Sequence, residues 1–199
     1  MSDTPSYKVA QAVGILGSAF ASGGILSISS LTVPALTLPG RSAILKAPAK
    51  TDTPGSALSH ITHQWLDVYN KGKIMFPSLA LTSALAYSYL AYTLRHTASA
   101  GKVARLYLIA AATTMTIVPF TIGVMLPVNK RLEAHATRDD ATEKEGKEGM
   151  ATSAEEEAKR TREDREVPAL LETWTYMNAG RSLFPLAGAV VGITAALFY

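Results

Sequence analysis

The amino-acid sequence predicts an all-α membrane protein, a four-helix transmembrane bundle with two long connections on one side. Four runs of 18 to 25 residues carry no charged side chain, and about 20 apolar residues cross a bilayer as a helix. Within these runs polar side chains do not recur at helical spacing, as they would in the helices of a soluble bundle. The runs are 9–33, 74–94, 106–128 and 182–199.

The charges of this 199-residue chain are concentrated in one segment. Ten of the 19 Lys and Arg residues and 13 of the 16 Asp and Glu residues lie between Lys130 and Arg181. Residues 137–166 have 18 charges in 30 positions, which predicts a solvated or disordered, partly helical insert within a single integral membrane domain, 1–199. The mean hydropathy of +0.15 therefore understates how apolar the other segments are.

Each of the four runs has its own features. The first run exceeds the roughly 7 to 15 apolar residues of a signal-peptide core, so we interpret it as a retained anchor. Prolines 77, 119 and 185 predict kinks, which a membrane bundle tolerates because neighbouring helices satisfy the freed carbonyls. Small residues in the first run predict close helix packing. They are Gly14, Gly17, Ser18, Ser22, Gly23 and Gly24.

The topology follows from the even number of spans. Both termini and the short link 95–105 share one side, and connections 34–73 and 129–181 share the other. Basic residues flank both sides, so the positive-inside rule favours neither orientation.

The composition also excludes several classes of protein. Without Cys there is no disulfide, Cys-ligated zinc, iron–sulfur cluster or thiol nucleophile. Four His in total are too few for a His-rich di-iron oxygenase. His60 and His63 share a helical face, but two His without a third ligand make a poor metal site, so none is predicted.

Polar and aromatic side chains collect at the ends of three spans, on the side of the long connections. Near the second span, Trp65, Tyr69 and Lys73 are four residues apart. Before the fourth span, Trp174, Asn178 and Arg181 are four and three residues apart. Each group therefore lies on one helical face. Interfacial anchoring is the alternative for Trp, Tyr and basic residues, but Asn has no anchoring role. The residues are Trp65, Tyr69, Lys73, Asn129, Trp174, Asn178 and Arg181.

Three stretches carry a family pattern. They contain Gln64, Trp65, Tyr69, Gly72, Lys73 and Pro77; residues 117–121 with Met125, Asn129 and Leu132; and Leu171, Trp174, Asn178, residues 181–183, Pro185, Leu186 and Gly188. In these stretches the chain resembles the fungal anthrone oxygenases, four-span membrane proteins. The resemblance covers the chain from the first span to its end, apart from the charged insert. It implies oxidation of an aromatic polyketide anthrone to the anthraquinone with O2, without metal or organic cofactor.

For this chemistry we assign catalytic and substrate-binding roles. His63 is the predicted base, because imidazole titrates near neutral pH. Asp67, four residues on, has the spacing to orient this imidazole, and the alternative is that the two residues form a solvated loop pair. On one regular helix, however, His63 lies about 200° around from Trp65. Asn178 and Arg181 are predicted donors to the developing oxyanion. The predicted substrate-binding residues, in which the two Trp stack on flat rings, are Trp65, Tyr69, Lys73, Asn129 and Trp174.

The predicted partners are the aromatic polyketide, the lipid bilayer and a second copy of the chain, without nucleic acid. The predicted location is an endomembrane. The alternative function is a non-catalytic membrane scaffold or assembly factor. A carrier is a third, but the sequence lacks the internal repeat or mid-span ionisable groups of carriers.

Overall fold

The structure is a computed structural model that describes residues 4–37, 57–96, 100–144 and 154–198. The elements in this part of the chain are helical, which confirms the predicted all-α class. They are α1 (Pro5–Ser27), a π-helical segment (Ile28–Thr32), α2 (33–37), α3 (Ala57–Leu94), α4 (Gly101–Met115), α5 (Ile117–Phe120), a second π-helical segment (Thr121–Met125), α6 (Leu126–Lys144) and α7 (Ala154–Leu197).

Four helical spans are long and apolar enough to cross a membrane. They are Pro5–Thr37, Leu58–Leu94, Gly101–Arg138 and Arg162–Leu197. Large apolar side chains on them are exposed, among them Leu16, Phe20 and Leu85, as expected for surfaces that face lipid. The prediction of a multi-pass membrane protein is therefore confirmed.

The helices extend farther than the charge-free runs. Span Leu58–Leu94 has 37 residues, or about 55 Å of helix, against a hydrocarbon core of about 30 Å. The predicted connections 34–73 and 129–181 are therefore helical in part, and residues 38–56 of the first lie outside the described part of the chain. The charged insert is helical at both ends, through Lys144 and from Ala154, and residues 145–153 lie outside the described part.

The chain folds into two compact units. Unit 1 comprises Met1–Ser27, Gly72–Val124 and Asn178–Tyr199, and unit 2 comprises Ile28–Lys71 and Met125–Met177. Two of the boundaries fall inside the continuous helices α3 and α7.

Unit 1 is packed through small residues, as predicted for the first run. A Cβ added to Gly14 would lie 2.7 Å from the Tyr87 ring, and one added to Gly24 would lie 2.7 Å from the Phe76 ring. Because these aromatic rings are fully buried, the helices can approach this closely only where the side chain is missing. A Cβ added to Gly23 would have no neighbouring atom within 4 Å among the described residues, so Gly23 does not make this kind of close approach.

A layer of hydroxyl groups crosses the core of unit 1. Ser18 Oγ donates to the Gly14 carbonyl at 2.8 Å and lies 3.2 Å from Thr114 Oγ1. Nearby, Gln11 Nε2 donates to the Tyr107 hydroxyl at 2.9 Å. These bonds satisfy side chains that the apolar core would otherwise leave unpaired.

Hydroxyl side chains on the outer faces of the spans bond to their own helix. Ser78 Oγ donates to the Ile74 carbonyl at 2.8 Å, and Thr82 Oγ1 donates to the Ser78 carbonyl at 2.9 Å. Both residues are exposed. A carbonyl four residues back accepts a second bond in this geometry, so the hydroxyl needs no partner from another helix.

One of the three predicted proline kinks coincides with a break in the helix. α4 ends at Met115, α5 carries Pro119, and the π-helical segment Thr121–Met125 follows. Proline removes the hydrogen bond to the carbonyl four residues back, and the wider turn accommodates the loss. At Pro77 and Pro185, α3 and α7 continue without interruption.

Ion pairs connect α6 and α7 within unit 2. The guanidinium of Arg138 donates to Glu163 Oε2 at 2.9 Å and to Asp164 Oδ1 at 2.6 Å. Arg131 pairs with Glu166 on the same two helices. A single exposed pair contributes little, but the two carboxylates that share Arg138 form a network that favours helix at both ends of the insert.

Candidate active site

Three of the predicted aromatic side chains form one cluster in unit 2. Trp65 and Tyr69, one turn apart on α3, stack with ring centroids 5.1 Å apart and planes 5° from parallel. The Trp174 ring from α7 packs edge-on against Trp65, with centroids 5.7 Å apart and planes at 88°. Trp65 and Trp174 are buried. One face of Trp65 is therefore covered by Tyr69, and the rings pack on each other.

Asn129 from α6 joins this cluster through its carboxamide. Trp174 Nε1 donates to Asn129 Oδ1 at 2.8 Å, and Asn129 is 1% exposed. The other amide atom, Asn129 Nδ2, and the indole Nε1 of Trp65 are buried without a hydrogen-bond partner among the described residues. Both atoms are donors only. The cluster thus holds two buried N–H groups suited to an acceptor oxygen.

The two predicted oxyanion donors are buried in unit 1. Asn178 Nδ2 donates to the Ile25 carbonyl at 3.0 Å, and Arg181 Nη1 donates to Thr121 Oγ1 at 3.1 Å. Asn178 is fully buried and Arg181 is 7% exposed. Thr121 begins the second π-helical segment, and its hydroxyl in turn donates to the Ile117 carbonyl at 2.6 Å. A buried guanidinium is a strong source of positive potential for an anion.

His63 is oriented by a different group from the one predicted. His63 Nδ1 lies 2.7 Å from the Ser59 carbonyl, whereas Asp67 pairs with Lys71 at 2.6 Å. The expected orientation of His63 by Asp67 is therefore wrong, because an ammonium group one turn along α3 attracts the carboxylate more strongly than a neutral imidazole does. α3 is continuous here, so His63 is about 200° around it from Trp65.

The two remaining sequence predictions on α3 concern His60 and Lys73. His60 Nε2 lies 2.9 Å from Gln64 Nε2 and is exposed, so His60 and His63 have separate partners. Lys73 belongs to unit 1 and has an exposed side chain. The structure brings together Trp65, Tyr69, Asn129 and Trp174, but it does not bring His63 onto their face of α3.

A cavity of about 490 Å³ in unit 2 was not predicted. None of the eight predicted site residues lines it. Two sequence signals were available for it: Leu171, which lines the cavity, belongs to the third motif stretch, and Glu172, the acidic residue among the described lining residues, is two positions before Trp174. The lining residues are Val33, Pro34, Thr37, Leu58, Ile61, Pro168, Leu171, Glu172, Thr175 and Tyr176.

Comparison with known proteins agrees with the three sequence stretches. The family model described as anthrone oxygenase matches residues 65–191, which begin at Trp65 of the cluster. Anthrone oxygenase tpcL of Aspergillus fumigatus is 31% identical over 97% of this chain and 96% of its own length. Anthrone oxygenase encC of the same species is 34% identical over 94% and 91%.

A third relative is a monooxygenase by name. Noranthrone monooxygenase of Aspergillus flavus is 29% identical over 91% of this chain and 70% of its own length. No solved structure matches the chain. The matched family region covers more than half of the sequence and, apart from Gln64, contains all three motif stretches. The chain therefore belongs to the anthrone oxygenase family, as its motifs predict, and it is an oxygenase.

Proposed function

We propose that the chain converts an aromatic polyketide anthrone to the anthraquinone with O2 as co-substrate, in an endomembrane, and without metal or organic cofactor. The names of its relatives support this substrate class. The structural observation that carries the proposal is a pair of buried donors in one aromatic cluster, Trp65 Nε1 and Asn129 Nδ2, which have no hydrogen-bond partner in the described ranges. Such groups are well suited to an oxygen that becomes negative during a reaction.

The reaction begins with loss of a proton from the methylene carbon of the anthrone. The resulting anthranolate is aromatic and electron-rich, with its charge largely on oxygen, and it passes one electron to O2. Recombination of the radical pair forms a carbon–oxygen bond, and protonation gives a hydroperoxide. Loss of water from this hydroperoxide leaves the quinone carbonyl, so one anthrone and one O2 give one anthraquinone and one water.

The protein accelerates this sequence mainly by stabilising the anthranolate. Its formation is favoured by N–H groups that are already fixed in a dry site and need no reorganisation. Trp65 Nε1 and Asn129 Nδ2 meet that requirement, since both are buried and the Asn129 amide is held by Trp174. Because the anthranolate itself reduces O2, the reaction needs no separate redox cofactor.

The base remains the sequence prediction, His63. A hydrogen bond from Nδ1 to the Ser59 carbonyl requires the proton on Nδ1, which makes Nε2 the basic nitrogen of the neutral ring. His63 lies about 200° around α3 from Trp65, so the proposed base is not itself part of the aromatic cluster.

The proposed reaction is tested with purified protein in detergent, an anthrone and air. We expect quinone absorbance to rise with protein concentration, to stop under argon, and to continue after dialysis against a chelator. Metal analysis of active protein should find less than one ion per chain. Stoichiometric metal whose removal abolishes turnover would overturn cofactor independence, and absence of quinone formation by folded protein would favour the scaffold function.

We also propose that Asn178 and Arg181 take part in turnover. Arg181→Lys keeps the positive charge but loses the planar fork that bonds Thr121, and Asn178→Ala removes the amide that bonds the Ile25 carbonyl. Loss of one oxyanion donor lowers a rate by about a hundredfold or more, and we expect this for both variants.

The measurement for these two variants is turnover per folded, membrane-inserted molecule. Asn178→Ala leaves a buried carbonyl without its amide donor, which costs about 1–3 kcal/mol of stability, so folded protein must be quantified first. Lys102→Ala, at an exposed position of unit 1, is the control and should match wild type. Normal turnover in both Arg181→Lys and Asn178→Ala would limit these residues to a structural role.

A further inference from the structure

We propose that the cavity of unit 2 binds the substrate as a flat polycyclic phenol, with the Glu172 carboxylate accepting a hydrogen bond from a phenolic hydroxyl. This inference rests on the proposed function and gives it a binding site. It differs from the sequence prediction, in which Trp65 and Trp174 stack on the flat rings.

The walls of the cavity are apolar and held in place. Val33 from α2, Leu58 and Ile61 from α3, and Leu171 from α7 line it and are 3% to 7% exposed. These side chains come from three helical elements of the same unit, so they enclose the space from different directions. Apolar walls of this kind favour aromatic rings by removing their surface from water.

The cavity lies one helical turn from the aromatic cluster. Ile61 precedes Trp65 by four residues on α3, and Leu171 precedes Trp174 by three on α7. The rings of the cluster already cover each other, since Tyr69 stacks on one face of Trp65 and Trp174 packs against it edge-on. The predicted aromatic residues therefore indicate the correct region of unit 2, but the space for a ligand is next to the cluster that they form.

The size of the cavity suits one small molecule. At about 490 Å³ it falls within the range of about 300–1,000 Å³ that is typical of ligand pockets. A fused three-ring compound fits such a volume, whereas a folded peptide segment of many residues does not.

The rim of the cavity carries its polar groups. Glu172 and Tyr176 are exposed, and Thr175 lies between them on α7. The Thr175 hydroxyl donates to the Leu171 carbonyl at 2.7 Å, which leaves its oxygen as an acceptor. An ionised carboxylate accepts hydrogen bonds and repels anions. This rim therefore favours a neutral phenol, a donor, over a fatty acid or an anionic lipid headgroup.

The experiment measures binding without turnover. Two probes lack the methylene group and cannot react: 2,6-dihydroxyanthraquinone, used at mildly acidic pH, and unsubstituted anthraquinone. Quenching of Trp fluorescence in detergent, under argon, reports the affinity of each. Wild-type protein should bind the dihydroxy probe more tightly.

The variant Glu172→Gln tests the carboxylate with almost no change in shape. We expect about tenfold weaker binding of the dihydroxy probe, because the bond to a charged acceptor is lost, and unchanged binding of unsubstituted anthraquinone. Glu133→Gln is the matched control, since Glu133 belongs to unit 2 but not to the cavity lining. Ile61→Trp fills the cavity and should weaken both probes by at least about tenfold.

The outcomes separate this inference from the reaction itself. Equal affinities of Glu172→Gln and Glu133→Gln for the dihydroxy probe, in a wild type that forms quinone, overturn the binding site and leave the reaction standing. A wild type that binds the probe as expected but forms no quinone leaves the site standing and overturns the reaction. If Ile61→Trp does not fold, the Glu172→Gln comparison between the two probes decides alone.

Discussion

Asn129→Asp should lower quinone formation by about a hundredfold or more per folded molecule. The substituted carboxylate still offers Trp174 Nε1 an acceptor oxygen at the place of Asn129 Oδ1. At the place of Nδ2, however, a buried donor that has no partner in the part of the chain that the structure describes becomes an acceptor, which opposes a developing oxyanion. Replacing one preorganised donor typically costs two to three orders of magnitude in rate, or about 3–4 kcal/mol.

Two Trp→Phe variants provide the comparison for this prediction. Trp65→Phe removes the second unpartnered donor and no hydrogen bond within the described residues, so we expect a loss of turnover with little loss from hydrogen bonding. Trp174→Phe breaks the bond to Asn129 and should mainly lower thermal stability, by about 1 kcal/mol from that bond. Wild-type turnover in both Asn129→Asp and Trp65→Phe would contradict the proposed oxyanion site.

Gly188→Ala should strongly destabilise unit 1. A Cβ at this position would lie 2.0 Å from Thr114 Oγ1 and 3.0 Å from the Ala110 carbonyl oxygen. Thr114 is fully buried, and its hydroxyl donates to the Ala110 carbonyl and lies beside Ser18. Neither neighbour can move without breaking these contacts, so we expect the upper part of the usual overpacking cost, about 3 kcal/mol.

Gly180→Ala is the control on the same helix. Both glycines lie in the part of α7 that belongs to unit 1, but a Cβ at Gly180 meets nothing within 4 Å. Alanine is the better helix former by about 1 kcal/mol, so this variant should be neutral or stabilising. Detergent-induced unfolding measured for both variants checks the prediction, and equal unfolding of the two would contradict the close packing at Gly188.

The spans could be predicted because bilayer thickness and the cost of burying charge leave few alternatives. A partly helical charged insert could also be predicted, but not how far α6 and α7 extend into it, since that depends on pairing of Arg138 with Glu163 and Asp164, about 25 residues away in sequence. Helical spacing identifies residues on one face of one helix, but it does not identify the partner on another.

The candidate site could also be predicted only in part. Trp65, Trp174 and Asn129 could be predicted because helical spacing places the aromatic residues on single helix faces and Asn has no anchoring role at the end of a span. The structure brings these three together. The cavity could not, because Ile61 is an ordinary core residue in sequence, and Leu171, although it belongs to the third motif stretch, has no polar group that indicates a site. Only the spacing of the helices shows that these two residues line a space. The orientation of His63 also depended on a competing partner for Asp67, the ammonium group of Lys71.

The hydroxyls of Ser78 and Thr82, each bonded to a carbonyl of its own helix, bear on how the chain enters the bilayer. A hydroxyl whose hydrogen-bond partner lay on another helix would enter the hydrocarbon region without that bond, at a cost of several kcal/mol. Here the bond forms as soon as α3 forms, so the helix can be inserted and held in lipid before any neighbour arrives. Biogenesis of this chain can therefore proceed one span at a time, with close packing against the glycines as a later step.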